Sequence, residues 1–132
     1  DPYEQNLRKV LNFGHTIGHA IESYFIKSDH LDKLTHGEAI AIGMIIESSI
    51  SLEKCSLSQS EADQIKHVFN SIFSKVKIDS SDQENIISLL KFDKKNSHGN
   101  VNFVLLKSIG VPMIDLKVTP EQINKGFLFY DS

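Results

Sequence analysis

Apolar residues recur at helical spacing through most of this chain and change once to an extended pattern. Asp1-Pro2 offers a capping carboxylate and a proline at the first helical position. Leu7, Val10, Leu11 and Phe13 then share a face, so the spacing predicts a helix over residues 2–13 that stops at Gly14. His15 to about Phe25 reads as a second helix, with Ile17, Ala20, Ile21, Tyr24 and Phe25 at its apolar positions. Residues 26–35 are polar and weakly periodic and read as a loop. From His36 to about Glu53 apolar residues occupy most of the circumference, which predicts the central, buried helix. Ser58 with Glu61, and Ser81 with Glu84, repeat a capping-box spacing ahead of two amphipathic helices, running through Phe73 and Phe92.

The period then switches. Val101–Leu106 is rich in strand formers, Ile109-Gly110 turns the chain, and Val111–Val118 is extended again, with Pro112 on an edge. Thr119-Pro120-Glu121-Gln122 starts a last helix to about Tyr130, with Thr as cap and Pro at the first position. The prediction is a mainly α domain of six helices with one small β-hairpin.

Composition narrows the class. The 132 residues are long enough for a single domain with a core, and 40% hydrophobic with 23% charged residues is ordinary for a globular chain. The formal charge of -3, with Lys and Arg scattered, argues against nucleic acid or a membrane surface as partner. A single cysteine, Cys55, excludes an intrachain disulfide and fits a reducing compartment. No apolar run approaches the ~20 residues of a membrane span. The chain begins at Asp1 in what already reads as a helix, which fits a piece of a larger protein.

Candidate chemistry concentrates in Leu11-Asn12-Phe13-Gly14-His15-Thr16-Ile17-Gly18-His19-Ala20-Ile21-Glu22. His15 and His19 are four apart and project from one helix face, while His36 opens the next helical run. Gly14 and Gly18 remove bulk where something must approach the backbone. Three histidines with Glu22 and Glu38 nearby suit a metal site, a proton-transfer site, or both; satisfied core histidines between two packed helices are the bland alternative. A zincin motif is excluded because no carboxylate lies between His15 and His19, and a glycine-rich phosphate loop is absent. His30 and His98 sit in turn-like segments and His67 on a surface helix, and none is assigned a role.

Three blocks in order, Arg8-x-x-Leu11-Asn12-Phe13-Gly14-His15-Thr16-Ile17-Gly18-His19-Ala20-Ile21-Glu22, then His36-Gly37-Glu38-Ala39-Ile40-Ala41-Ile42-Gly43-Met44, then Asp93-Lys94-Lys95-Asn96 with Gly99 and Phe103-Val104-Leu105-Leu106, closely resemble 3-dehydroquinate synthase. The resemblance covers essentially the whole chain. It implies that residues 1–132 are the helical, metal- and substrate-binding C-terminal domain of a two-domain enzyme whose Rossmann-like N-terminal NAD-binding domain lies outside this chain. That family converts 3-deoxy-arabino-heptulosonate 7-phosphate to 3-dehydroquinate and phosphate in the shikimate pathway. It uses NAD transiently together with zinc, or another divalent cation such as cobalt.

By the same resemblance His15 and His36 are two zinc ligands, the third being a glutamate of the other domain. His19 is the substrate-binding, proton-handling histidine; a zinc-bound imidazole is held neutral and cannot shuttle protons, whereas a free neighbour can. Arg8 matches a substrate-binding arginine, and Asn12 and one of Lys94 and Lys95 match positions that hold the substrate. Glu4 either orients Arg8 or lies on a solvated helix face. Glu22 and Glu38 are expected to hydrogen-bond a ligating imidazole or to serve a helix N-terminus. The stretch between His19 and His36 is longer than the family leads one to expect, and Asn102 replaces a basic residue common there. The implied setting is cytoplasmic, with the sugar phosphate and the N-terminal domain as partners, and a homodimer at full length. The rival readings are another sugar phosphate cyclase making valiolone- or inosose-type rings, a metal-dependent polyol dehydrogenase of the glycerol dehydrogenase type, and an inert docking domain. The isolated chain is expected to be inactive, since NAD and one zinc ligand come from elsewhere.

Overall fold

The computed structural model describes residues 13–29, 31–91 and 101–132. Its elements run α1 (His15–Lys27), α2 (His36–Lys54), α3 (Gln59–Ile72), α4 (Ser80–Lys91), β1 (Val101–Ser108), β2 (Val111–Val118) and α5 (Pro120–Asp131). The mainly α expectation with one hairpin holds; the helix expected over residues 2–13 lies, up to residue 12, outside the described residues.

The run that is apolar around its circumference does become the centre. Helix α2 packs against α1, α3, α5 and β1, and buries Ala39, Ile40, Ala41, Ile42, Ile45, Ile46 and Ile50. Ile17, Ile21 and Phe25 of α1, Ile86 and Leu90 of α4, Phe103 and Leu105 of β1 and Ile123 and Phe127 of α5 complete the main core. The burial is wider than one stripe, which is why α2 has no polar face to present to water.

Helix starts follow local chemistry. Thr35 caps α2 and Thr119 caps α5 in full capping boxes with Glu38 and Gln122, and Ser58 caps α3. Helix α4 starts earlier than its Ser81–Glu84 spacing suggests. Asp79 is the cap, its Oδ1 accepting the Asp82 N–H at 2.9 Å and the Ser81 hydroxyl at 3.0 Å. Asp is as good a cap as Ser, and its charge suits the helix N-terminus. Helix α1 runs to Lys27, two residues into the segment read as loop.

The hairpin is antiparallel, pairing Val101 with Val118 and Leu105 with Met113, with irregular register between Phe103 and Leu105 and between Leu106 and Ser108. Gly110 turns it at φ 84, and Pro112 sits opposite Leu106 beside the second irregularity, where a residue without an N–H is tolerated. The Leu106 N–H donates to Ser51 Oγ at 2.9 Å, which ties β1 to the buried side of α2. Among the described residues no helix is long and apolar enough to cross a membrane.

Candidate metal and substrate site

Helix α1 begins at Gly14, which has φ 82 and no side chain with which to cap the helix. The oxygens come instead from α2. Glu47 Oε1 accepts the Gly14 N–H at 3.0 Å and Oε2 accepts the Ile17 N–H at 3.2 Å. Glu47 is fully buried, and burial pushes its carboxyl up to about 8 against the pull of those two amides.

The helices meet here closely, with glycines at the points of contact. A Cβ on Gly43 would collide with the Gly14 carbonyl oxygen and the Gly18 nitrogen, and one on Gly18 would lie 2.7 Å from Ile40 Cδ1. Gly14 lies against Met44, Gly18 against Ile40, and Glu22 against His36, so α1 and α2 pack antiparallel. The start of α2 therefore lies beside the middle of α1.

That geometry gathers the histidines. His15 is the first residue of α1, His19 lies one turn on, and His36 is the first residue of α2. The ring centroids are 5.1 Å apart for His15 and His19, 6.0 Å for His15 and His36, and 5.8 Å for His19 and His36. Two imidazoles on one zinc, each nitrogen roughly 2.1 Å from the ion, have centroids about 5–6.4 Å apart. Spacing alone thus admits every pair, and the surroundings separate them.

His15 is half-buried, and burial first, then the neighbouring His19 and His36, hold its pKa below the ordinary value. That favours the neutral imidazole, the form that ligates a metal. His36 Nδ1 lies 3.1 Å from Glu22 Oε1. A carboxylate there selects the Nδ1–H tautomer and leaves the Nε2 lone pair facing outward. His19 is exposed and lines a cleft of about 340 Å³ with Thr16, Ala20, Ser23 and Lys27 of α1 and Leu89 and Leu90 of α4. The Tyr24 hydroxyl steadies that cleft, donating to Asp82 Oδ1 at 2.6 Å and accepting from Asn85 Nδ2 at 3.2 Å.

The structure thus brings His15, His19 and His36 together with Glu22. Arg8, Asn12, Lys94 and Lys95, and with them Glu4, lie outside the described residues. Among the described residues no group of three or more His, Cys, Asp or Glu side chains is placed to hold a metal ion by itself. Glu22 takes the imidazole-bonding role and Glu38 the helix-terminal one, its Oε1 accepting the Thr35 N–H at 2.9 Å. Glu47 was given no role by sequence reasoning, although its signal was present: it is the one charged side chain in the apolar run 39–50.

Comparison with known proteins matches residues 1–96 to the 3-dehydroquinate synthase C-terminal family. The chain is 38% identical over 131 residues to 3-dehydroquinate synthase of Parabacteroides distasonis, covering 98% of the chain and 36% of that protein. It is 39% identical over 123 residues to the Picrophilus torridus 3-dehydroquinate synthase, covering 92% and 34%. The chain therefore spans about a third of the length of these relatives. A crystal structure of 2-deoxy-scyllo-inosose synthase complexed with carbaglucose-6-phosphate, NAD+ and Co2+ is similar with TM-score 0.69 and 26% identity, over 92% of this chain and 33% of that one. The 2-epi-5-epi-valiolone synthase from Streptomyces hygroscopicus, with NAD+ and Zn2+ bound, shares the fold at TM-score 0.71 and 20% identity, over 98% and 34%.

Proposed function

We infer the activity from one premise: this chain belongs to the 3-dehydroquinate synthase family, at its C-terminal domain. On that reading it is the metal- and substrate-binding domain of an enzyme that turns 3-deoxy-arabino-heptulosonate 7-phosphate into 3-dehydroquinate and phosphate. The nucleotide-binding domain lies outside these residues. The observation that carries the reading is the convergence of His15, His19 and His36, with Glu22 on His36, at the junction of α1 and α2.

The donor set fits a divalent ion of the zinc or cobalt kind. His15 is favoured neutral, His36 has one nitrogen engaged by a carboxylate and one available, and two imidazoles leave room for a ligand from elsewhere and for substrate. His15 and His36 are the assigned ligands. When bound, the ion supplies Lewis acidity to the substrate oxygen at the carbon that is transiently oxidised.

His19 has the other task. It is exposed on the cleft, one turn from His15, and no carboxylate is paired with it among the described contacts. An imidazole so placed accepts and returns a proton on substrate lying along α1. Ser23 and Lys27 continue the same face of α1 and offer a hydroxyl and a cation to a polyhydroxylated anion. Arg8, Asn12 and Lys94 or Lys95 are assigned to the substrate's anionic and hydroxyl groups by the family resemblance.

The test uses the full-length protein and measures bound zinc beside turnover. His15→Ala and His36→Ala are each expected to lower metal content and activity together. His19→Ala is expected to leave the metal bound and slow turnover by about 10² to 10⁴. Metal loss in His19→Ala with retention in His36→Ala would reassign the ligands to the His15–His19 pair. Another sugar phosphate cyclase is the second reading, favoured by the likeness to 2-deoxy-scyllo-inosose synthase. Assay with substrates that carry and lack the carboxylate separates the two.

A further inference from the structure

We propose that Glu47 is the positioning residue of the histidine site: its buried carboxyl group clamps the first turn of α1 from α2 and so fixes where His15 presents its ring to His36. This rests on the reading of His15 and His36 as metal ligands.

A helix N-terminus leaves its first amides without intrahelical partners, and the usual remedy is a side chain at the capping position. Gly14 has none and cannot gain one. Its φ of 82 disfavours any other residue, and a Cβ there would run into Met44. The acceptor therefore arrives from thirty-three residues away in sequence. The two amides it holds bracket His15, Gly14 immediately before it and Ile17 two residues after. Fraying or rotation of this turn, the motion that would swing the His15 ring, requires breaking both bonds in a site closed to water.

Glu47 also stands on the helix that begins with His36, so both imidazoles are referenced to one rigid element. Ile45, Ile46 and Ile50 are buried around it, and the buried Ser48 and Ser51 donate their hydroxyls to α2 carbonyls, so neither reaches α1. An apolar residue at 47 would suit that core but leave two buried N–H groups unpartnered. A side chain that served only as filling or as a generic cap has no reason to affect the metal. Glu47 does, through the position of His15, without touching the ion or the substrate.

The experiment compares Co2+ binding and its visible absorption in the full-length protein. Glu47→Gln keeps the size but replaces one acceptor oxygen by an amino group that cannot accept an N–H. Expected are a loss of Co2+ affinity of about tenfold and a shifted absorption spectrum. Tyr130→Phe is the control for destabilisation alone. It removes the 2.8 Å bond from the Val76 N–H to Tyr130 Oη and is expected to change neither Co2+ readout. A Glu47→Gln protein with a lowered melting temperature but wild-type Co2+ affinity and spectrum overturns the proposal. His15→Ala separates this from failure of the underlying reading. If His15→Ala binds Co2+ as tightly as wild type, the ligand assignment falls and the inference with it. If it binds weakly while Glu47→Gln does not, the inference alone falls. Should Glu47→Gln not fold, Glu47→Asp retains two acceptors on a shorter arm. It is expected to give a smaller loss of affinity and a shifted spectrum, and wild-type values for both overturn the proposal in the same way.

Discussion

The two flanks of α2 differ in how they are built. Against β1 and α5 it packs mostly by apolar bulk: Phe103, Leu105, Ile123 and Phe127 are buried in one core with Ile46 and Ile50, with Gly126 making room for Ile46, and Thr119 caps α5 with its own hydroxyl. Against α1 it packs by removal of bulk, with Gly14, Gly18 and Gly43 bringing backbones together and a buried carboxyl satisfying the amides. The first flank gains from the area it hides from water. The second adds three glycine contacts and a buried titratable group to the packing of Ile17 and Ile21 into the same core, at the point where α1 carries His15. Fold and site thus share a helix while drawing on different physics, and the difference can be tested by disturbing each flank separately.

The largest expected effect lies on the apolar flank. Phe127 is 1% exposed, in contact with the main core. Phe127→Ala should cost about 3–5 kcal/mol in equilibrium denaturation, through lost transfer energy and the cavity left behind. The loss should be nearly independent of pH, and Co2+ affinity of the folded full-length protein should not change. A shift in metal affinity comparable with that of Glu47→Gln would show the flanks to be mechanically coupled and erase the contrast.

The glycine flank should instead respond to pH. Burial raises the pKa of the Glu47 carboxyl in the folded chain to about 8 from the ordinary glutamate value of 4.5. Below about pH 4.5 both folded and unfolded chains hold the proton, and the contribution to stability is fully present. Between about 4.5 and 8 the unfolded chain has released it while the folded chain keeps it, so stability falls as pH rises. Above 8 the contribution is lost. Its size is on the order of a few kcal/mol across that window. Glu47→Gln should remove this slope. A denaturation series from pH 4 to 9 in which wild type and Glu47→Gln run parallel would contradict the assignment of the slope to Glu47.

The same contrast governs what could be read from the chain. The helical period, the Thr119-Pro120 start, the hairpin switch and the central place of 36–53 were legible because apolar burial leaves a periodic trace. His15, His19, His36 and the glycines among them were legible through their spacing and resemblance, and Glu22 and Glu38 as one of two roles each. The α4 start was misplaced because Asp79 and Ser81 are both competent caps, and only tertiary context chooses between them. Glu47 stands out as a lone charge in an apolar run, but what it binds does not. Its partners Gly14 and Ile17 offer only backbone amides, which every residue has, so no side-chain chemistry in the sequence announces the pair. The Thr35–Glu38 box, by contrast, is written in two side chains three residues apart.

The smallest expected effect on stability sharpens the comparison most. Glu22 and His36 form a surface pair, their side chains 24% and 57% exposed. Pairs of this exposure contribute about 0–1 kcal/mol, and Gln at position 22 keeps an oxygen that accepts from Nδ1. Glu22→Gln should therefore change unfolding free energy by no more than about 0.5 kcal/mol. Its effect on the metal should be out of proportion to that. A neutral acceptor holds the Nδ1–H tautomer less firmly and makes Nε2 a poorer donor, so Co2+ affinity should fall by about tenfold in the full-length protein. Large stability loss with unchanged metal binding would place Glu22 with the core flank. The expected pattern, almost no stability loss with a clear affinity loss, would show that the α1–α2 junction carries binding on contacts the fold hardly needs.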